Sequence, residues 1–196
     1  MNTLSDFTHP FLRGPVPLSH LLLQNLVRGG DRVVDATCGN GHDTLLLARL
    51  VGGTGRVWGF DIQADAIKES GRRVTEAGVD GWVTLLHGGH EQMVDVVSSP
   101  LSLVLFNLGY LPGGDRSIIT RTESTISALS QALSLLSVGG SVVVTIYPGH
   151  PGGDEERVAV EQWASGLDPR CYHSWRMGQV NVPVTAPYLM LVQRGR

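Results

Sequence analysis

The sequence predicts an α/β fold built on a mostly parallel sheet that carries helices on both faces. Segments with strand character alternate with amphipathic helical segments along most of the 196 residues, and this alternation is typical of parallel sheets covered on both sides. The strand cores are apolar without strict alternation, as in VVVTI at 142–146. The C-terminal part differs, because its two strand-like segments follow each other directly and indicate an antiparallel hairpin.

The first half of the chain supplies three strand–helix alternations. A short amphipathic helix follows two early prolines, and glycines end the next two helices, as they commonly do. The predicted elements are a helix at 18–27, a strand at 31–37, a helix at 42–51, a strand at 56–62, a helix at 64–78 and a strand at 82–88.

The second half continues the pattern. Apolar residues at three- and four-residue spacing predict a helix that VGG ends, and the last helix has acids in its first turn, where the macrodipole favours them. The predicted elements are a strand at 101–109, a helix at 123–137, a strand at 141–149, a helix at 154–167, and two hairpin strands within 171–180 and 188–194. Without a repeat or linker, we expect one domain over 1–196.

Composition excludes several classes of protein. Apolar residues make up 42% and charged residues 17%, so a disordered chain is excluded. The net charge of −3 does not indicate binding to nucleic acid. Arg116 and Arg121 are either a local basic patch or ordinary surface arginines. Cys38 and Cys171 lack CxxC partners, which favours a reducing cytoplasm over a disulfide framework or structural zinc. No signal peptide or membrane-spanning apolar run of about 20 residues is predicted.

The segment DATCGNGHDT at 35–44 follows the first strand, where parallel α/β sheets bind ligands. Gly39 and Gly41 allow a tight turn and close approach of a ligand to the backbone. The dehydrogenase fingerprint requires a third small residue where Thr44 stands. The carboxylates of Asp35 and Asp43 suit a ligand with a cationic end, such as the amino group and sulfonium of S-adenosylmethionine. A plain strand–helix turn is the alternative.

Two further strand ends carry candidate donor-binding residues. Asp61 in GFDIQ lies 20 residues after Gly41, where a carboxylate can accept hydrogen bonds from both ribose hydroxyls. The alternative is that Asp61 caps the N-terminus of the next helix. Ile62 would pack on the adenine. In HGGHEQM at 87–93, His90 is expected at the adenine edge, or as a core or capping histidine. A His87–His90 metal pair lacks supporting carboxylates or cysteines.

The fourth strand end, VLFNLGYLPGGD at 104–115, predicts an acceptor site. Methyl transfer from a sulfonium requires an aligned nucleophile with a free lone pair. The side-chain carbonyl of Asn107 can accept a hydrogen bond from a neutral amine, and Tyr110 can stack on a base or form a hydrogen bond. Asp115 could take a proton or hold a cationic amine, and His90 is another candidate base. The alternative is an ordinary Asn-Gly-Pro turn.

Two other segments are weaker candidates for substrate binding. YPGHPGGDEE at 147–156 follows the fifth strand and contains His150, but a plain connection explains it equally well. Gln179 and Asn181 near the C-terminal hairpin are candidates of the same kind.

Together, DATCGNGHDT, GFDIQ, GHEQM, NLGYLPGGD, STISAL and the glycine loop after YP resemble the "putative rRNA methylase" family of small bacterial class I methyltransferases. That family is similar in turn to enzymes that N-methylate the aminomethyl group of 5-aminomethyl-2-thiouridine at the tRNA wobble position. The resemblance spans about residues 18–193. It implies a Rossmann-like fold with a seven-stranded sheet, S-adenosylmethionine as donor, tRNA as acceptor and a homodimer.

The resemblance also implies site residues. The donor pocket falls on Asp35, Thr37, Gly39, Asn40, Gly41, Asp43, Asp61, Gln63 and His90. We predict that Thr44, Ile62, Glu91 and Asn107 also bind the donor. The acceptor side falls on Asn107, Tyr110 and Asp115. One departure from the family is the C-terminal GQVNVPVTAPYLMLV, in which the prolines are separated.

We therefore predict a cytoplasmic, metal-free, S-adenosylmethionine-dependent N-methyltransferase acting on the wobble uridine of tRNA. Alternative substrates are rRNA or another amine-bearing molecule. A nucleotide-dependent oxidoreductase is disfavoured by the missing third glycine and by NLGYLP. A non-catalytic RNA-binding protein is disfavoured by the presence of Asp35, Asp61 and Asn107.

Overall fold

The computed structural model describes residues 12–111, 113 and 119–196. The strands are β1 Arg32–Asp35, β2 Arg56–Asp61, β3 Val83–His87, β4 Leu101–Asn107, β5 Leu136–Ile146, β6 Tyr172–Met177 and β7 Tyr188–Arg194. The helices are α1 Pro15–Leu26, α2 His42–Val51, α3 Ala64–Glu76, α4 Met93–Val96, α5 Thr122–Leu135 and α6 Gly153–Ser165.

The seven strands form one sheet in the order β3-β2-β1-β4-β5-β7-β6. The first five strands pair in parallel, whereas β7 runs antiparallel to both β5 and β6. The predicted fold, a mostly parallel seven-stranded sheet with a C-terminal antiparallel hairpin, is confirmed.

Each face of the sheet has its own hydrophobic core. Successive side chains of a strand point to opposite faces, so Val33 of β1 packs in one cluster and Val34 in the other. The first cluster contains Leu23 of α1, Leu47 of α2 and Val74 of α3. The second contains Met93 of α4, Leu129 of α5 and Val160 of α6. Because helices cover both faces, the central strands β1, β4 and β5 are largely apolar and buried, as the sequence indicated, whereas the edge strand β6 is mostly exposed.

The structure corrects the boundaries around VGG. The sequence predicted a helix to 137 and a strand from 141, but α5 ends at Leu135 and β5 begins at Leu136. The register with β4 shifts there, since Leu101 faces Leu136 whereas Leu103 faces Ser141. Gly139 has φ 83, a conformation that glycine adopts without strain. The two glycines therefore lie in an irregularity within the strand and do not precede it.

The strand order places the site. The chain runs from β1 outward through β2 to β3 and then returns to the other side of β1 as β4. This reversal leaves a crevice at the carboxyl ends of β1, β2 and β4, which is where open α/β sheets bind ligands. In the described part of the chain, no helix has the length and apolar character needed to cross a membrane.

Candidate active site

A cavity of about 510 Å³ opens at the carboxyl ends of the central strands. Its lining includes Thr37 after β1, Asp61 at the end of β2 and Asn107 at the end of β4. The predicted convergence of these three strand ends on one hollow is confirmed. The residues predicted for the site that line this cavity are Thr37, Gly39, Asp61, Ile62, Gln63, His90, Glu91, Asn107 and Tyr110.

Five other predicted donor-site residues do not line the cavity, namely Asp35, Asn40, Gly41, Asp43 and Thr44. They lie at the end of β1, in the loop that follows it and in the first turn of α2, where they contact other parts of the protein. Asp115, predicted on the acceptor side, lies outside the described residues, as does Arg116. Arg121 does line the cavity.

Asp61 connects two loops at the cavity wall. Its Oδ2 accepts a hydrogen bond of 2.9 Å from the Gly39 amide, and its Oδ1 accepts one of 2.9 Å from the Gln63 amide. The N-cap position of α3 is Gln63, so the alternative that Asp61 is the N-cap of this helix is wrong. The carboxylate stays at the cavity surface, where it is available to a polar ligand.

The two glycines of the first loop serve different contacts. Both have positive φ, 49 for Gly39 and 78 for Gly41, which favours glycine at each position. A Cβ on Gly39 would lie 2.9 Å from Leu111 Cδ1 at the cavity, whereas a Cβ on Gly41 would lie 2.8 Å from the Cα of Ser70 in α3. The close approach at Gly41 is therefore to the protein and not to a ligand.

Asp35 supports this loop from beneath and is fully buried. Its carboxyl group accepts hydrogen bonds from the Thr44 hydroxyl at 2.6 Å and from the Thr37 amide at 3.3 Å. Burial, together with the negative charge of Asp43, raises the pKa of Asp35 to about 7. The residue thus holds the start of α2 against β1, and a ligand in the cavity would not reach it.

Asp43 links the N-terminal helix to the end of β4. Its Oδ1 accepts a hydrogen bond from His20 Nε2 at 2.7 Å, and its Oδ2 accepts one from Asn107 Nδ2 at 2.8 Å. The hydrogen bond to Asp43 raises the pKa of His20. The backbone N–H of Asn107 donates a hydrogen bond to Thr37 Oγ1 at 2.7 Å. Asn107 is therefore held through both its side chain and its backbone.

His90 presents an acceptor nitrogen without a protein partner. Its Nδ1–H donates to the Ala36 carbonyl at 3.1 Å, so Nε2 carries the lone pair in the neutral ring. That nitrogen is buried and makes no hydrogen bond, and burial lowers the pKa of His90. His87 instead lies with Nε2 3.0 Å from the Ile62 carbonyl. Within the described ranges, no group of three or more His, Cys, Asp or Glu residues could hold a metal.

A buried carboxylate holds the loop after β4. Glu156 of α6 is 3% exposed and accepts hydrogen bonds from the hydroxyls of Thr120 and Thr125 at 2.7 and 2.6 Å. Thr120 Oγ1 in turn accepts from the Gly109 amide at 2.9 Å. This chain of contacts positions the segment that carries Tyr110.

The aromatic residue of that segment lies at the cavity rim. Tyr110 is 39% exposed, pairs with Ile119 in an isolated bridge, and lies edge-on to His150 with ring centroids 5.9 Å apart. Gln179 and Asn181 hydrogen-bond each other at 2.8 Å on the surface and do not line the cavity.

Sequence reasoning missed part of the lining. Thr120, Glu123 and Ser124 border the cavity, because the start of α5 returns to the edge where β4 ends. The signal was present in the order of elements, since the helix after a strand begins on the same rim. His20 and Glu156 carried no such signal, because their partners are distant in the sequence.

Two solved structures that share this architecture indicate the class of protein. The chain is 42% identical to a protein from Clostridium thermocellum described as a "putative rRNA-methylase", with TM-score 0.91 over 94% of this chain and 100% of that one. It is 30% identical to a "putative methyltransferase" from Streptococcus mutans in complex with SAH, with TM-score 0.84 over 93% and 99% of the two chains. The fold and the cavity thus define a class I methyltransferase that uses S-adenosylmethionine as methyl donor.

The family follows from sequence comparison. The family described as "Putative rRNA methylase" matches residues 57–193. The chain belongs to this family. It is also 38% identical over 185 residues to the chloroplastic tRNA (mnm(5)s(2)U34)-methyltransferase of Arabidopsis thaliana, a match that covers 89% of this chain and 67% of the plant protein. The predicted family, enzyme class and cofactor are confirmed, and the oxidoreductase and non-catalytic alternatives are set aside.

Proposed function

We propose that this enzyme N-methylates the aminomethyl group of a modified uridine at the wobble position of tRNA. The observation that carries the proposal is the placement of Asp61 and Asn107 on one cavity, with a donor-side carboxylate on one strand end and an amide on another. The plant relative is named for a wobble-uridine activity, which supports the same substrate here.

The cavity residues fit S-adenosylmethionine. The volume of about 510 Å³ lies within the usual range for small-molecule sites, roughly 300–1,000 Å³. The unpartnered His90 Nε2 is an acceptor for an adenine N–H, the Asp61 carboxylate accepts from ribose hydroxyls, and Ile62, 53% exposed, offers an apolar surface to the base. When bound, the cofactor supplies a methyl group on a cationic sulfur.

Asn107 provides the acceptor side of the reaction. Its Nδ2 donates to Asp43, so the other branch of the amide, Oδ1, remains the acceptor. A neutral amine can donate one N–H to Oδ1. The lone pair of its nitrogen then stays free to attack the methyl group. The amine nitrogen then takes the methyl group as the S–CH₃ bond of the sulfonium breaks and a neutral thioether leaves, and the ammonium so formed releases one proton to water. Tyr110, at the same rim, offers a ring on which a nucleobase can stack.

The proposal is tested with tRNA from cells that lack this methylation, incubated with the purified enzyme and S-adenosylmethionine. Nucleoside mass spectrometry should show the aminomethyl uridine converted to its methylaminomethyl form. S-adenosylmethionine should also raise the melting temperature of the protein, whereas NAD should not. An unchanged wobble nucleoside in an enzyme that binds S-adenosylmethionine would reject the substrate assignment.

Asn107→Ala separates donor binding from turnover. We expect S-adenosylmethionine affinity to change by less than about threefold while kcat falls about a hundredfold, because the contact to the amine is lost while the backbone of residue 107 keeps its hydrogen bond to Thr37. Isothermal titration and single-turnover methyl transfer measure the two quantities. Turnover at the wild-type rate would remove Asn107 from the reaction.

The second candidate substrate is rRNA, which the family description favours. The two substrates are separated by presenting undermethylated ribosomal RNA and tRNA to the enzyme in parallel. Methyl incorporation confined to rRNA would select the alternative.

We propose, in addition, that the enzyme is a cytoplasmic homodimer. β6 lies at the edge of the sheet and exposes 61% of Trp175. In the segment that follows β6 in the chain, Val180 and Val184 are 99% and 83% exposed. Exposed apolar surface of this kind is typical of association sites. Light scattering during gel filtration tests the proposal, and a monomeric mass at micromolar concentration would reject it.

A further inference from the structure

We infer that Asp43 and His20 are positioning residues that fix the orientation of the Asn107 amide. The inference rests on the proposed function, in which the Oδ1 atom of Asn107 accepts a hydrogen bond from the substrate amine. Neither residue lines the cavity, so neither is expected to touch the substrate or the donor.

The three side chains form a continuous chain of hydrogen bonds from three elements. His20 of α1 lies 2.7 Å from Asp43 Oδ1, and Asp43 Oδ2 accepts from Asn107 Nδ2 at 2.8 Å. The residues are separated by 23 and 64 positions in the sequence. Both oxygens of Asp43 are engaged in this way.

The chemistry of a carboxylate determines which way the amide faces. An ionised carboxylate only accepts hydrogen bonds, whereas an amide has a donor end and an acceptor end. Asn107 must therefore turn its NH₂ group to Asp43 and its oxygen away from it. The reversed rotamer would bring two acceptor oxygens to about hydrogen-bond distance and lose a charge-assisted bond. Asp43 thus selects the rotamer whose oxygen is available to an amine.

His20 holds Asp43 in that position. The Asp43 side chain is 18% exposed and lies close enough to buried Asp35 to raise its pKa. Burial raises the pKa of Tyr147, and the negative charge of Asp43 raises it further. His20 Nε2 donates a hydrogen bond to the Asp43 oxygen that Asn107 does not use, and the His20 side chain is 37% exposed. Without it, Asp43 could turn toward solvent and release Asn107.

The test uses graded variants of the full-length enzyme. Asp43→Asn keeps the shape but lets both amides pair in either orientation, so we expect kcat to fall about tenfold. His20→Ala should lower kcat about threefold or more, and His20→Gln, which retains an N–H donor, should restore most of it. The KM for S-adenosylmethionine should change by less than about twofold in each. Gln24→Ala, an exposed change one turn further along α1, is the matched control and should retain wild-type kcat.

A second readout does not depend on the substrate. In ¹⁵N-edited NMR spectra, the side-chain NH₂ protons of Asn107 should exchange slowly with solvent in the wild type and faster in Asp43→Asn and His20→Ala. Wild-type kcat in both variants, with full activity of the parent enzyme, would overturn the inference. Equal side-chain exchange in all proteins would also overturn it. A parent enzyme that leaves the wobble nucleoside unchanged would instead reject the proposed function.

Discussion

Asp35→Asn is expected to change how the stability of this enzyme depends on pH. The carboxyl group is fully buried, and burial with the charge of Asp43 raises its pKa from 3.8 to about 7. An amide has the same shape and can still accept from the Thr37 amide. The Thr44 hydroxyl, which now donates to Asp35, can rotate and accept from the new NH₂ group. The substitution therefore removes the titration with little loss of packing.

The direction follows from comparing the folded and unfolded states. The pKa is higher in the folded protein, so between about pH 4 and pH 7 the folded state holds a proton that the unfolded state has released. The wild type accordingly loses stability as pH rises through this window. Roughly three pH units at about 1.4 kcal/mol each amount to about 4 kcal/mol. The free energy of unfolding of Asp35→Asn minus that of the wild type should therefore increase by about 4 kcal/mol as the pH rises from 4 to 8.

Urea unfolding at constant ionic strength, repeated across that pH range, measures the difference. Val34→Ala is the matched control, since Val34 is the buried neighbour in β1 and has no titratable group. Its destabilisation, about 1–2 kcal/mol for loss of two methyl groups in a core, should be nearly independent of pH. A difference for Asp35→Asn that is as flat as that of Val34→Ala would refute the reasoning about burial.

Three further perturbations test the loop, the network beneath Tyr110 and the donor site. Gly41→Ala should destabilise the protein by about 2–4 kcal/mol in urea unfolding, since φ is 78 and the new Cβ would meet the backbone of α3. Gly52→Ala, at φ 64 with open space around it, should cost only about 1–2 kcal/mol, and equal costs would contradict the packing argument. Glu156→Ala leaves the buried Thr125 hydroxyl and the part-buried Thr120 hydroxyl without their acceptor. We therefore expect a loss of about 2–4 kcal/mol in the free energy of unfolding and a raised KM for the proposed RNA substrate; unchanged values would show that the network does not hold the loop. Asp61→Asn should lower the affinity for S-adenosylmethionine about tenfold or more, as measured by isothermal titration, while the affinity for the proposed RNA substrate stays the same. An unchanged affinity for S-adenosylmethionine would exclude the ribose contact.

The first loop shows how far local sequence carries a prediction. DATCGNGHDT placed a glycine turn between β1 and α2, and both glycines adopt the positive φ that such a turn requires. The pattern could not distinguish a glycine that faces a ligand from one that faces a helix. Gly41 packs on Ser70 of α3, 29 positions later in the chain, and only the packing of α3 against this loop shows it.

The two carboxylates of the same loop show a second limit. From sequence, Asp35 and Asp43 were both expected to face the cationic end of the donor. Folding buries Asp35 completely and pairs Asp43 with His20 and Asn107. From sequence alone, a carboxylate after a strand is expected to bind a ligand. In the folded chain, the same carboxylate can accept hydrogen bonds from the protein instead.

By itself, the sequence determined the class of fold, the order of strands and helices, and the strand ends that carry Asp61 and Asn107. These features depend on local periodicity, on turn residues and on the rule that parallel strands present their carboxyl ends together. Only the tertiary structure decided which polar groups face the cavity and which support it from behind. That choice depends on contacts such as His20–Asp43–Asn107, whose members meet only after distant segments pack. It also depends on burial, which raises the pKa of Asp35 beneath the loop.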